Sequence, residues 1–126
     1  MTPLAVGIDL VAVERVGRML DRLGERATAR LLTPDERAYC LGMAFPARHV
    51  AARVAAKEAV YKALQGTTDA RAIGWREIEV VRDAMGRPSA RLHGRAASRL
   101  QELGARAVLL SLTHTDDLAA AIAVVV

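Results

Sequence analysis

Leu4, Val6, Ile8 and Leu10 alternate with Ala5, Gly7 and Asp9 at the start of the chain. A period of two predicts a short strand whose second face carries small residues and one carboxylate. The period then lengthens: Val13, Val16, Leu20 and Leu23 recur at helical spacing, and Gly24 suits the end of that helix. Thr33-Pro34-Asp35-Glu36 has the form of a capping box with proline at the first helical position, which predicts a second helix ending near Gly42. Pro46 can open a third, running to Leu64 with Gly66 as its terminator.

After Trp75 the pattern turns strand-like. Ile78 and Val80 alternate with charged neighbours, and Asp83-Ala84-Met85-Gly86 predicts a turn before a strand from Pro88 to Leu92. A short helix fits Ala96 to Leu103, closed by Gly104. The segment from Val108 to Val126 divides into two strands around Thr115-Asp116-Asp117. Its last nine residues, Leu118 to Val126, are all apolar. As an exposed edge they would invite aggregation unless covered by the chain's own fold or by a partner, which points to an oligomer.

A length of 126 residues predicts one domain, 1–126, with a single core. Hydrophobic residues make up 52% of it, but Tyr39, Phe45, Tyr61 and Trp75 are the only aromatics, so Ala, Val, Leu and Ile must fill that core. Cys40 is the sole cysteine, which rules out an internal disulfide and permits a reducing compartment. The first ten residues lack a basic region and meet Asp9 early, which argues against a signal peptide. No run reaches the roughly 18 apolar residues of a membrane span, so a cytoplasmic protein is expected.

The net charge is +4, which favours a polyanionic partner: nucleic acid, an acidic protein or a phosphorylated small molecule. A nucleic-acid module would interleave aromatics for stacking, and four scattered aromatics make no such platform. Among eighteen basic residues only Lys57 and Lys62 are lysines, and they flank Glu58. Either this is an accident of an arginine-biased chain, or compact ammonium groups are needed there to meet phosphate oxygens.

On the long helix, at roughly 100° per residue, Glu58 and Lys62 share a band with Ala51, Val54 and Ala55 that should face the protein. Charges on such a band must be paired or must coordinate something. They are compatible with an ordinary i, i+4 pair worth about 0.2–0.5 kcal/mol. They are equally compatible with a functional site. Asp9, between strand and helix, is either an N-cap or a second hard oxygen donor. Two carboxylates beside two lysines suit a magnesium-bound pyrophosphate, because magnesium takes one or two protein carboxylates and completes its shell with phosphate and water. The chain has no GxxxxGK[ST] loop, GxGxxG fingerprint or HExxH pair. His49, His93 and His114 are too scattered for a legible zinc site, and His49 and His93 are expected at the surface.

Gly7-Ile8-Asp9 with Arg15 resembles the GxDxxxxxR opening of the acyl-carrier-protein synthases, and RVAAKEAVYK, Arg53 to Lys62, resembles their RFAAKEAxxK signature. Ile78-Glu79-Val80, the later Gly86-Arg87-Pro88, and SLTHTDDLAAA from Ser111 to Ala121 match in the same order across nearly the whole chain. Val54, Ala52 and Met85 depart from the family's usual phenylalanine, glycine and polar residue.

The resemblance implies an α+β fold, an antiparallel sheet packed on a long central helix, in a homotrimer with active sites between subunits. It implies magnesium-dependent transfer of 4′-phosphopantetheine from coenzyme A to a serine of an acidic apo-acyl carrier protein, releasing adenosine 3′,5′-bisphosphate. Asp9 and Glu58 would hold the metal and Lys62 would contact the phosphates. Glu58, directly or through a magnesium-held water, would accept the serine proton. Arg53, Lys57, Gly66, Gly86, Arg87, Pro88, Thr113 and His114 would surround the nucleotide. The first helix is expected to carry Arg15, Arg18, Arg22 and Arg26 beside Met19 along one stripe; interspersed acids leave a salt-bridged solvated face open, while the resemblance implies carrier docking there, at Arg15, Arg18, Met19 and Arg22. The rival readings are a non-catalytic carrier-binding subunit and a basic nucleic-acid-binding module.

Overall fold

The computed structural model describes residues 2–126. Strand β1 (Ala5–Ala12) leads into α1 (Val13–Leu23), α2 (Glu25–Leu31), α3 (Pro34–Leu41) and the long α4 (Pro46–Leu64). Two 3-10 turns, Asp69–Ala72 and Trp75–Glu77, lead to the hairpin of β2 (Ile78–Arg82) and β3 (Pro88–Leu92). Helix α5 (Gly94–Glu102), β4 (Val108–His114) and β5 (Leu118–Val125) complete the chain. The expected α+β architecture is present as two antiparallel sheets, one of order β1-β5-β4 and the other β2-β3.

Local chemistry explains most boundaries. Thr33 Oγ1 accepts the Glu36 amide while Glu36 Oε1 accepts the Thr33 amide, so the predicted capping box starts α3. Gly24, at φ 55°, closes α1 through its amide to the Leu20 carbonyl. Sequence periodicity did not anticipate α2. The chain re-enters a helix directly after Gly24 because Ala27, Thr28 and Leu31 bury against the rest of the fold.

Helix α4 lies across the inner face of the three-stranded sheet. Ala51, Ala55, Ala56, Ala59 and Ala63 are buried on the helix, and Gly7, Val11, Ala119, Ala121, Ala123 and Val125 are buried on the strands. Small residues on both sides let backbone approach backbone, as expected of a core with little aromatic bulk. The outer face of the same sheet is the apolar one: Val6, Ile8, Leu10, Leu109, Leu118 and Ile122 are exposed, Ile8 by 66%.

The concern about a bare C-terminal edge is resolved within the chain. β5 is the central strand, hydrogen-bonded to β1 on one side and β4 on the other. What β5 leaves unpartnered is therefore a sheet face rather than an edge.

Candidate functional site

The site begins at Gly7. A methyl group built there would overlap the Ala59 carbonyl oxygen and press on the Ala63 amide, so only glycine lets α4 settle onto β1 at this point. Two residues further on, Asp9 also faces the helix. Lys62, one turn beyond Ala59, donates to the Ile8 carbonyl at 3.0 Å and to Asp9 Oδ1 at 2.9 Å. Asp9 is thus bound to the helix rather than serving as a cap: α1 begins at an Ala12 N-cap with no side-chain hydrogen bond.

Glu58 projects beside this pair. Among the described residues its carboxylate takes part in no hydrogen bond or salt bridge. Burial pushes its pKa up and the neighbouring Asp9 charge adds to this, while Lys62 and Arg15 pull it down. Two carboxylates close enough to repel one another, with one lysine bound to Asp9, hold excess negative charge that a divalent cation would relieve. No cluster of three or more His, Cys, Asp or Glu converges as a metal cage among the described residues. The donor set therefore fits a cation that takes two protein carboxylates and draws its remaining ligands from phosphate and water.

Glu58 opens onto a cavity of about 320 Å³ lined by Tyr61, Arg71, Ile73, Gly74, Trp75, Ile78 and Lys57. A second groove, of about 610 Å³, brings together Arg15, Arg18, Met19 and Arg22 over an apolar floor of Val16, Leu31 and Val54. Trp75 lines both openings. The stripe expected on the first helix is shorter than its spacing suggested: α1 ends at Leu23, and Arg26, on α2, lines a neighbouring groove. Arg18 makes only a long, exposed contact to Glu14, at 3.9 Å.

Lys57 departs from its expected place on the nucleotide. It is 1% exposed. Its ammonium donates to Glu36 Oε1 at 2.7 Å, to the Trp75 carbonyl at 2.8 Å and to the Ile78 carbonyl at 2.6 Å. An ammonium has three protons, so none remains for a phosphate. Burial lowers its pKa, and the Glu36 charge opposes that shift.

The other expected nucleotide residues separate into distinct groups. Arg53 is 2% exposed, lies 4.2 Å over the Tyr39 ring, and its buried Nε has no partner among the described residues. Arg82 also lies over Tyr39, and His49 packs edge-on between Tyr39 and His114. Burial and then the charge on His114 lower the His49 pKa, with Arg53, Arg82 and Arg48 adding to it. His49, expected at the surface, is half-buried in a cluster with Tyr39 and His114 that periodicity could not reveal. His93, half-exposed, sits 3.1 Å from Glu79 Oε1.

Gly86, at φ 81°, makes the β2–β3 turn, in which Asp83 Oδ1 accepts the amides of Met85 and Arg87 and Pro88 opens β3. Gly66, at φ 130°, lines a shallow surface pocket with Thr67, Thr68 and Arg71. Thr113 lies exposed near the end of β4. Within one chain, then, Asp9, Glu58 and Lys62 converge. Arg53 and His114 gather on a different side of α4, since five residues turn a helix by roughly 500°.

Known proteins share this chain's sequence and fold. The family model of the 4′-phosphopantetheinyl transferase superfamily matches residues 5–123. The holo-[acyl-carrier-protein] synthase of Koribacter versatilis is 42% identical over 118 residues, which is 94% of each chain. The crystal structure of holo-[acyl-carrier-protein] synthase from Neisseria meningitidis superposes with a TM-score of 0.86 at 28% identity, covering 99% of both chains. That of a holo-(acyl-carrier-protein) synthase from Bacillus anthracis, in complex with CoA (3′,5′-ADP), does so at 0.79 and 30% identity, over 99% of this chain and 97% of the other. With a match along almost its whole length, the chain belongs to the 4′-phosphopantetheinyl transferase superfamily.

Proposed function

We propose that this chain is a holo-[acyl-carrier-protein] synthase: it transfers 4′-phosphopantetheine from coenzyme A to a serine of an apo-acyl carrier protein and releases adenosine 3′,5′-bisphosphate. The Koribacter relative bears that activity in its name, and the Bacillus anthracis protein was solved with CoA (3′,5′-ADP). The observation that carries the reading is the Asp9–Lys62 pair beside Glu58, a carboxylate without a hydrogen-bond partner among the described residues that opens onto a cavity.

Asp9 and Glu58 are the residues that would hold magnesium, which when bound neutralises diphosphate charge and polarises the reacting phosphorus. Lys62 spends two of its three protons on the Ile8 carbonyl and Asp9, and its half-exposed ammonium keeps the third for a phosphate oxygen. The serine oxygen bonds to the β-phosphorus as the bond from that phosphorus to the bridging oxygen breaks. The electron pair leaves with adenosine 3′,5′-bisphosphate. Glu58 would accept the serine proton. Such a reaction depends on alignment and electrostatics more than on covalent help.

The arginines Arg53 and Arg82, grouped with His49 and His114 around Tyr39, would supply a second anion subsite, with Arg53 buried and without a carboxylate partner among the described residues. Gly66 in its surface pocket, Gly86, Arg87 and Pro88 in the hairpin turn, and Thr113 on β4 would also meet the nucleotide. The Arg53 subsite and Glu58 lie on different sides of α4, and the outer sheet face bares Val6, Ile8, Leu10 and Ile122. Both features support a homotrimer that covers that face and completes each site from a neighbouring subunit. The basic groove of α1 would receive an acidic carrier through Arg15, Arg18, Met19 and Arg22. No helix among the described residues is long and apolar enough to cross a membrane, and a single-domain cytoplasmic enzyme acting in fatty acid or polyketide biosynthesis fits this reading.

Purified protein with magnesium and coenzyme A should add a phosphopantetheine group to an apo-acyl carrier protein, seen by mass spectrometry. Glu58→Gln should abolish most turnover while circular dichroism stays unchanged. Retained turnover in that variant would refute the role given to Glu58.

A further inference from the structure

Lys57 heads the large side chains that are completely buried, an unusual place for a lysine. Its counter-ion Glu36 is equally enclosed and fully engaged. Oε1 accepts both Lys57 and the Thr33 amide, and Oε2 accepts the Val80 amide at 2.9 Å. One ion pair therefore ties together α3, α4, the 3-10 turn at Trp75 and strand β2. Burying such a pair gains little stability over packed apolar side chains. Its distinctive property is directional. The Trp75 and Ile78 carbonyls receive protons that no hydrocarbon side chain could donate.

Trp75 and Ile78, which bear those carbonyls, line the cavity that Glu58 enters, and Glu58 is the next residue after Lys57 along α4. We infer that Lys57, fixed by Glu36, is a positioning residue that holds the Trp75–Ile78 wall at a set distance from Glu58 and so seats the diphosphate-bearing substrate, without touching that substrate itself. The inference rests on the transferase reading for its kinetic consequence but not for its structural one.

Trp75 is the only tryptophan, so its fluorescence reports the wall directly. In Lys57→Met, acrylamide quenching of Trp75 should rise at least about twofold, and kcat should fall on the order of 10²-fold, the loss expected from misplacement by about 1 Å. The KM for coenzyme A should change far less. Glu36→Gln should reproduce both effects, and the double variant should be no worse than the more damaging single one. Should Lys57→Met fail to fold, Glu36→Gln carries the same test.

Three outcomes would overturn the inference: unaltered Trp75 quenching; a lower melting temperature with kcat intact; or a rise in KM for coenzyme A confined to Lys57→Met, which would make Lys57 a direct ligand. If wild-type protein transfers nothing, the transferase reading fails while the fluorescence measurement still decides whether Lys57 holds the wall.

Discussion

Gly7→Ala adds a single methyl group at the point where α4 meets β1, and its effect can be estimated from the contacts there. The new carbon would overlap the Ala59 carbonyl oxygen and lie 3.0 Å from the Ala63 amide nitrogen. Both are backbone atoms of a buried helix, so no flexible side chain can yield. Gly7 does not have a positive φ, which makes the effect steric rather than conformational. Overpacking of this kind costs about 1–3 kcal/mol. At about 2.1 cal/mol/K per residue, a chain of 126 residues loses ~4 °C in melting temperature per kcal/mol, so a fall of roughly 4–12 °C is expected.

The same displacement moves Lys62 away from Asp9, which should lower the transfer rate by about 10²-fold. Thermal unfolding followed by circular dichroism reads the first effect, and mass-resolved carrier modification reads the second. Gly17→Ala is the control. It meets only the Ala47 methyl at 3.7 Å within α1 and should leave stability unchanged or raise it by about 0.5–1 kcal/mol. A Gly7→Ala protein with wild-type melting and wild-type turnover would refute the claim that this close approach builds the site.

Two further outcomes follow from the charge arrangement. Burial pushes the Glu79 carboxyl up, but hydrogen bonds from Thr33 and His93 and the Arg91 charge outweigh it and hold its pKa below the usual carboxylate value. A depressed carboxylate contributes stability that is present above its unfolded pKa and lost as pH falls through the lower folded one. Melting temperature should therefore fall less steeply between about pH 6 and pH 3 in Glu79→Gln than in wild type; equal slopes would remove Glu79 from the acid response. In the α1 groove, the combined Arg18→Glu and Arg22→Glu substitution should raise KM for an acidic carrier on the order of tenfold, an effect that shrinks with added salt. A rise in KM for coenzyme A instead would mean that the groove serves the nucleotide.

Most element boundaries were legible because each rests on a local signal. Thr33 with Glu36, Pro46, Gly24 and the Asp83–Gly86 turn all act within four residues of themselves. The resemblance set Asp9 with Glu58 on a metal and Lys62 on phosphate; the direct Asp9–Lys62 pair was not legible, and the residues alone left Asp9 open as a cap. Orientation was not legible. In β1 the large residues Val6, Ile8 and Leu10 point outward and the small ones inward. That inverts the usual reading of an alternating strand, because the alanine-lined surface of α4 sits so close that only Gly7 and small neighbours fit beneath it.

Helix α4 defeated periodicity for a related reason. It packs against β1, β5, β4, β2, α1 and α3, so it has no continuous polar face from which a rotational phase can be read. The band that contains Glu58 and Lys62 was expected to face the protein, yet Lys62 is half-exposed while Lys57, on another side, is the lysine that is buried. What fixes Lys57 is Glu36, whose local signature announces only a helix start. A capping residue that also neutralises an ammonium twenty-one positions later cannot be recognised from either segment alone. The functional residues of α4 accordingly belong to different neighbours: Arg53 to Tyr39, Lys57 to the cavity wall, Glu58 to the cavity, and Lys62 to Asp9. Substitutions only a few residues apart on one helix should therefore produce distinct defects: weakened anion binding at Arg53, a loosened wall at Lys57 and lost proton transfer at Glu58.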